Sequence, residues 1–129
     1  MPSQPVTDLI CGSDQIWNTL FRNGRDAAFY LDFGNQNIKR ISYAASFATP
    51  EIVPEYRKFV EEKLKRIDHI SIRERISLPI LESLNCNDGV AVCDPVFLLN
   101  KKEWESHIDT SIIKQKYILV YLTNTSDSI

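Results

Sequence analysis

Glycine is scarce, with 4 residues in 129. Neither GxGxxG nor GxxxxGKS/T can be written from Gly12, Gly24, Gly34 and Gly89, so the two commonest nucleotide-phosphate fingerprints are missing. Each glycine sits where a strand or helix pattern stops, which places it in a turn. Cysteine is equally sparse. Cys11, Cys86 and Cys93 are odd in number and lack zinc-type spacing, while His69 and His107 form no HxxxH or HxH pair. The cysteines read as reduced thiols acting as small apolar residues, and no metal site is expected. Charge of one sign is also lacking. With 15 basic and 17 acidic residues the net charge is -2, which leaves no footprint for nucleic acid and no polybasic membrane anchor. No apolar run approaches the ~20 residues of a membrane helix. The start, Met1-Pro2-Ser3-Gln4-Pro5, has neither the cationic nor the apolar stretch of a secretory signal. The expectation is a cytoplasmic chain with no integral membrane segment, and the sequon Asn124-Thr125-Ser126 is then accidental. A chain of 129 residues, 43% hydrophobic and 25% charged, can bury one real core but not two full-sized ones.

What is present alternates between strand and helix patterns. Asp8-Leu9-Ile10-Cys11 is a short apolar run halted by Gly12-Ser13-Asp14, as a buried strand feeding a loop. Phe29 to Phe33 reads as a short aromatic strand, and Ile38 to Phe47 as a second buried strand with a small-residue centre. The clearest helix starts near Pro50 or Pro54 and runs to about Arg66. Tyr56, Val60, Leu64 and Ile67 form its apolar stripe, widened by Phe59, with Glu61–Lys65 and Glu62–Arg66 pairs on the wet side. His69 to Arg73 alternates like a strand. Ser77 looks like the N-cap of a helix carrying Leu78, Ile80, Leu81 and Leu84, stopped at Asn85. Gly89 to Pro95 is another strand, Lys102 to His107 a weak helical turn, and Tyr117 to Leu122 a last strand.

That order favours an open α/β sheet of mostly parallel strands. Ligands in such sheets bind at the carboxyl ends of the strands. Those ends carry Gly12-Ser13-Asp14-Gln15, Ser46, Arg73-Glu74 and Asp94. Each residue alone is also explained by turn chemistry, as for Ser-Asp after glycine or Asp before proline.

The same strand ends carry a resemblance. D-L-I-C-G-S-D-Q-I-W-N at Asp8 to Asn18 is similar to the GSDQ-W signature of the polysaccharide pyruvyl transferase family. F-Y-L-D-F, K-R-I-S-Y-A-A-S-F, I-S-I-R-E and D-P-V-F-L-L follow in that family's order, ahead of Trp104, so the resemblance spans residues 8 to about 122. It implies an α/β fold with an open, mostly parallel sheet: the Rossmann-like half of a two-domain architecture resembling B-type glycosyltransferases. Residues 1–110 would be part of the N-terminal Rossmann-like domain, and 111–129 a linker and first strand of a C-terminal domain. The opening strand and the C-terminal domain that usually flank such a segment are not seen, so the chain resembles the middle of a longer protein.

The resemblance also implies a chemistry: transfer of a pyruvyl group from phosphoenolpyruvate to a sugar of a surface or exopolysaccharide, in bacteria, with no cofactor. Phosphoenolpyruvate carries a phosphate and a carboxylate, and arginine's planar fork suits both. Arg73 matches the family's S-I/V-R-E/D motif and is the candidate for phosphate or carboxylate binding, against a structural ion pair with Glu74 or Asp94. Ser13, Asp14 and Gln15 match the GSDQ loop and either line the donor or acceptor pocket or brace the loop. Trp17 either stacks on a sugar or sits in the core, and Asp94 fixes a turn or meets a ligand. Glu74 and Arg75 read as surface charges. The resemblance places a catalytic histidine in the C-terminal domain, where neither His69 nor His107 falls, so the catalytic residues stay unknown. Two other readings stay open: a non-catalytic truncated α/β remnant, and an unrelated small binding module. Apolar surface left around Tyr117 to Leu122 would favour self-association.

Overall fold

The structure, a computed structural model, describes residues 6–109 and 115–120. Strand β1 (Asp8–Cys11) pairs in parallel with β2 (Lys39–Ser42), Asp8 opposite Lys39 and Cys11 opposite Ser42. Strand β3 (Ser71–Ile72) pairs in parallel with β4 (Val90–Ala91). Parallel bridges at Ile41–His69 and Ala45–Ile72 join the two ladders. The Ser42 N–H donates to the His69 carbonyl (2.9 Å) and the Arg73 N–H to that of Ala45 (3.0 Å). The expected parallel order is therefore found, as two short ladders stitched together rather than one continuous sheet. β2 ends at Ser42, well short of Phe47, because Ala44 takes a left-handed φ of 51° that no pleated strand accommodates.

The aromatic segment is a correction. Ala27–Tyr30 is a 3-10 turn, not a strand, capped by Asp26, whose side chain accepts the Ala28 N–H (2.9 Å). Its aromatics serve the core: the Tyr30 ring stacks on Trp17 at 5.6 Å and meets Phe59 edge-on. Local capping and ring packing together outweigh the β preference of Phe-Tyr. The segment continues into a clamp around Arg40, which is only 4% exposed. Arg40 Nε donates to the Leu31 carbonyl, Nη1 to that of Ile38, and Nη2 to those of Phe33 and Asn35.

The long helical pattern folds as a 3-10 turn (Pro54–Tyr56) running into α1 (Arg57–Leu64). Val60, Leu64 and Ile67 are buried, with Tyr56 and Phe59 packed at the margin. Of the two expected surface pairs, Glu61–Lys65 forms at 2.5 Å. Glu62 instead faces Lys58 at 4.0 Å, and Arg66 turns to Asp32, which also receives Lys63. The Asp32 carboxylate is mostly shielded from water, so it attracts a cation more strongly than an exposed glutamate does. Helix α2 (Leu78–Ser83) starts after Ser77 as expected, but the Ser77 hydroxyl makes no capping bond. It is drawn to Glu74 Oε1 (3.3 Å), and Pro79 in the first turn leaves one donor fewer to cap. Asn85, with φ of 59°, ends the helix in the left-handed conformation that asparagine tolerates.

Both helices and the 14–31 segment pack with Ala45 and Ile72 into one cluster. Burial of side chains the size of Leu64, Ile72 or Leu81 stabilises by about 1.5–3 kcal/mol each. The other face of the ladders is open, with Ile10 and Val90 exposed and Ile41 and Tyr43 partly so. A compact unit ends at Leu98 and a second begins at Leu99. Within the second, α3 (Lys101–Glu105) is held by a capping box between Asn100 and Glu103. Tyr117 to Val120 form no strand and their side chains are exposed; among the described residues no neighbouring strand pairs with them. The rest of that expected strand, Tyr121 and Leu122, lies outside the described residues.

Candidate functional site

The site is built where the parallel strands stop. β1 gives way at Gly12, whose φ is +126°, and a Cβ there would lie 1.9 Å from the Tyr43 carbonyl oxygen. Only glycine fits so close an approach. The chain then turns beneath the exit of β2. The Ser46 N–H donates to the Asp14 carbonyl (3.0 Å) and the Trp17 N–H to the Ser46 carbonyl (3.1 Å). The loop is thereby fixed by its backbone to the next strand.

Its side chains divide three ways. Gln15 braces the loop, its Oε1 accepting from Asn18 Nδ2 at 3.0 Å. The Asp14 side chain is exposed and meets no hydrogen-bonding or ionic partner among the described residues. Ser13 reaches across the sheet, its hydroxyl donating to Asp94 Oδ2 (3.2 Å) beyond the end of β4. Trp17 is no sugar platform. It is wholly buried, stacked on Tyr30 and tilted against Phe47, with its indole N–H donating to the Phe29 carbonyl.

Arg73 leaves β3 between two carboxylates. Its Nη1 donates to Asp94 Oδ2 (3.2 Å), and its Nε lies 3.7 Å from Glu74 Oε2. Nη2 has no partner among the described residues, which leaves that edge of the guanidinium able to meet a ligand. Glu74 is not the surface charge its sequence context suggested. Its Oε1 accepts from the Ser46 hydroxyl (2.7 Å), the Ala48 N–H (2.9 Å) and the Ser77 hydroxyl (3.3 Å). It thus ties the exits of β2 and β3 to the start of α2. Arg75, by contrast, is exposed as expected.

Asp94, like Glu74, gathers three donors. The Val96 N–H meets its Oδ1 (3.0 Å), the expected turn contact, while Ser13 and Arg73 share Oδ2. The Val96 N–H, with the Arg73 and Ser13 hydrogen bonds behind it, holds the carboxyl below the usual aspartate range against an opposing effect of burial. Tyr43, which sequence reasoning missed, lies just past β2 in the neighbourhood of Cys93 and Asp94. Desolvation first, then those neighbours, push the phenol above its ordinary value, so it stays a neutral donor. Its place there was hidden because it depends on how β2 and β4 are spaced across β3, which no local pattern encodes.

The structure therefore brings Ser13, Arg73 and Asp94 into direct contact, and joins Glu74 and Ser46 to the same edge. Gly12, Ser46, Arg73 and Asp94 all lie at one end of the ladders, which argues against the unrelated-module reading. Charge sets a further condition. One guanidinium stands between Glu74 and Asp94, so a ligand with several negative charges needs additional cations from outside this cluster. Among the described residues no His, Cys, Asp or Glu groups gather to hold a metal, and no helix is long and apolar enough to cross a membrane. A cavity of about 470 Å³ opens elsewhere, beside the amino ends of β3 and β4.

A family model described as polysaccharide pyruvyl transferase matches residues 9–129, a span that includes every residue of this cluster. The chain belongs to the polysaccharide pyruvyl transferase family. Comparison with curated proteins and with solved structures gave no match.

Proposed function

We propose that the strand-end cluster is part of the substrate site of an enzyme that moves a pyruvyl group from phosphoenolpyruvate to a sugar of a surface or exopolysaccharide, in the bacterial cytoplasm and without a cofactor. Arg73 meets the phosphate or the carboxylate of the donor, and the loop of Ser13, Asp14 and Gln15 shapes the pocket. In this reading residues 1–110 contribute part of a Rossmann-like domain, half of a two-domain architecture resembling B-type glycosyltransferases. The C-terminal domain, reached through residues 111–129, supplies the missing cations and the catalytic acid. The observation that carries the reading is an arginine at the carboxyl edge of a parallel sheet, in a member of this family, held at Nη1 by Asp94 and flanked at Nε by Glu74, with Nη2 left over among the described residues.

Chemically, the acceptor hydroxyl adds to the carbon bearing the phosphate ester as the methylene carbon takes up a proton. Loss of phosphate follows, and a second hydroxyl closes the ketal. A guanidinium on the donor contributes by holding the anion in place through parallel hydrogen bonds, which an ammonium does not reproduce. Titration calorimetry of phosphoenolpyruvate against the protein at its natural full length tests this. Arg73→Lys is expected to weaken binding roughly ten- to a hundredfold, the worth of a charge-assisted hydrogen bond, with little change in melting temperature. A lower melting temperature with unchanged affinity would reduce Arg73 to a structural ion pair.

A further inference from the structure

We infer that Asp94 is the positioning residue of the donor site: it acts on the bound anion through Arg73, by fixing the guanidinium, and not by touching the ligand. The inference rests on the donor-site reading of Arg73 and extends it to a residue whose sequence context suggests only a turn.

Three observations carry it. First, Asp94 is itself immobilised: the Val96 N–H holds Oδ1 and the Ser13 hydroxyl holds Oδ2. Second, the same Oδ2 receives Arg73 Nη1, so a carboxylate fixed from two strands fixes an arginine from a third. Third, Asp94 is only about a quarter exposed, which limits the screening of this contact by water. A free arginine side chain gives up rotamer freedom when it clamps a ligand. Asp94 meets that cost before the ligand arrives. Glu74, at 3.7 Å from Nε, guides the other side more loosely.

The opposite effect is real and makes the idea testable by sign. A carboxylate beside a donor site repels an anionic ligand, so a merely competing Asp94 would tighten binding when removed. Asp94→Asn separates the two. Its amide oxygen still accepts the Val96 N–H and keeps the turn, and its NH₂ can donate to the Ser13 hydroxyl, but it faces the Arg73 guanidinium donor against donor.

Phosphoenolpyruvate is titrated into the natural full-length protein in four forms: unchanged, Asp94→Asn, Arg73→Ala and the double variant. Asp94→Asn is expected to weaken binding roughly tenfold, the loss expected of one forfeited charge-assisted hydrogen bond. The double variant is expected to bind no more weakly than Arg73→Ala alone, because Asp94 has nothing left to position. Unchanged or tighter binding by Asp94→Asn overturns the inference. So does an equal loss in both backgrounds, which would mean general structural damage. If Arg73→Ala itself leaves affinity unchanged, the donor-site reading falls and this inference falls with it. Should Asp94→Asn fail to fold, Asp94→Ser, which retains a local acceptor for the Val96 N–H, enters the same comparison.

Discussion

Arg40 and Arg73 are the same side chain in two opposite settings. Arg40 is buried beneath the 31–38 segment and satisfied by four backbone carbonyls, with no side-chain carboxylate on its guanidinium among the described residues. Arg73 stands at the sheet edge between two carboxylates, with Nη2 left unpaired among the described residues. The contrast separates structural from functional arginine by what the donors meet. A carbonyl cage consumes the fork and folds a loop around it. A carboxylate pair fixes the orientation of the fork and leaves part of it available.

The largest break in that comparison comes at Arg40. Arg40→Ala strands four carbonyls against the clamp, and an unsatisfied buried polar group costs about 1–3 kcal/mol. A loss of at least about 3 kcal/mol is expected in urea denaturation. Arg40→Lys is expected to lose about 2 kcal/mol or more, since one ammonium cannot reach acceptors spread around a planar fork. A loss under about 1 kcal/mol for Arg40→Ala would mean that the 31–38 segment closes without its clamp.

Glu74 gives a smaller effect and sharpens the other half. Glu74→Ala leaves the Ser46 hydroxyl and the Ala48 N–H without their acceptor, so about 1–2 kcal/mol of stability is expected to go. Glu74→Gln keeps an acceptor at Oε1 and should be close to neutral in the same melt. Equal losses for both would place the value of Glu74 in its charge beside Arg73 rather than in those hydrogen bonds.

How much of this was legible follows the range of each interaction. The α1 stripe was readable because Val60 and Leu64 repeat within one helix and Ile67, just past its end, continues the same spacing. The parallel order followed from alternating patterns, and Gly12 from its place after an apolar run. Segment 27–30 was misread because its fate depends on Trp17 and Phe59, distant in sequence, and on one capping aspartate. Arg73 and the GSDQ loop were nominated as strand ends. That Ser13 meets Asp94 across 81 positions could not be read from either segment. Nor could the half-burial of Glu74, whose Oε1 is paired to donors on β2's exit and before α2.

Acid separates the two arginines by the chemistry of their partners. Carbonyl oxygens do not titrate in the range where proteins fold, so the four contacts of the Arg40 guanidinium survive acidification. Arg73 leans on carboxylates instead, and the folded value of Asp94 lies below the ordinary 3.8 because the Val96 N–H, then Arg73 and Ser13, favour its charged form. A depressed value in the folded state means that the carboxylate contributes stability above its unfolded value. That contribution is lost as the pH falls from about 4 through the folded value. Stability of the unchanged protein should therefore decline below pH 4 more steeply than that of Asp94→Asn, and the two curves should run parallel from pH 5 to 7. Since Asp94 is partly exposed, the difference in slope is small, and chemical denaturation at closely spaced pH values is the measurement that resolves it. Identical slopes below pH 4 would mean that the three hydrogen bonds to Asp94 do not favour its ionised form, and the fixed carboxylate on which Arg73 leans would have to be abandoned.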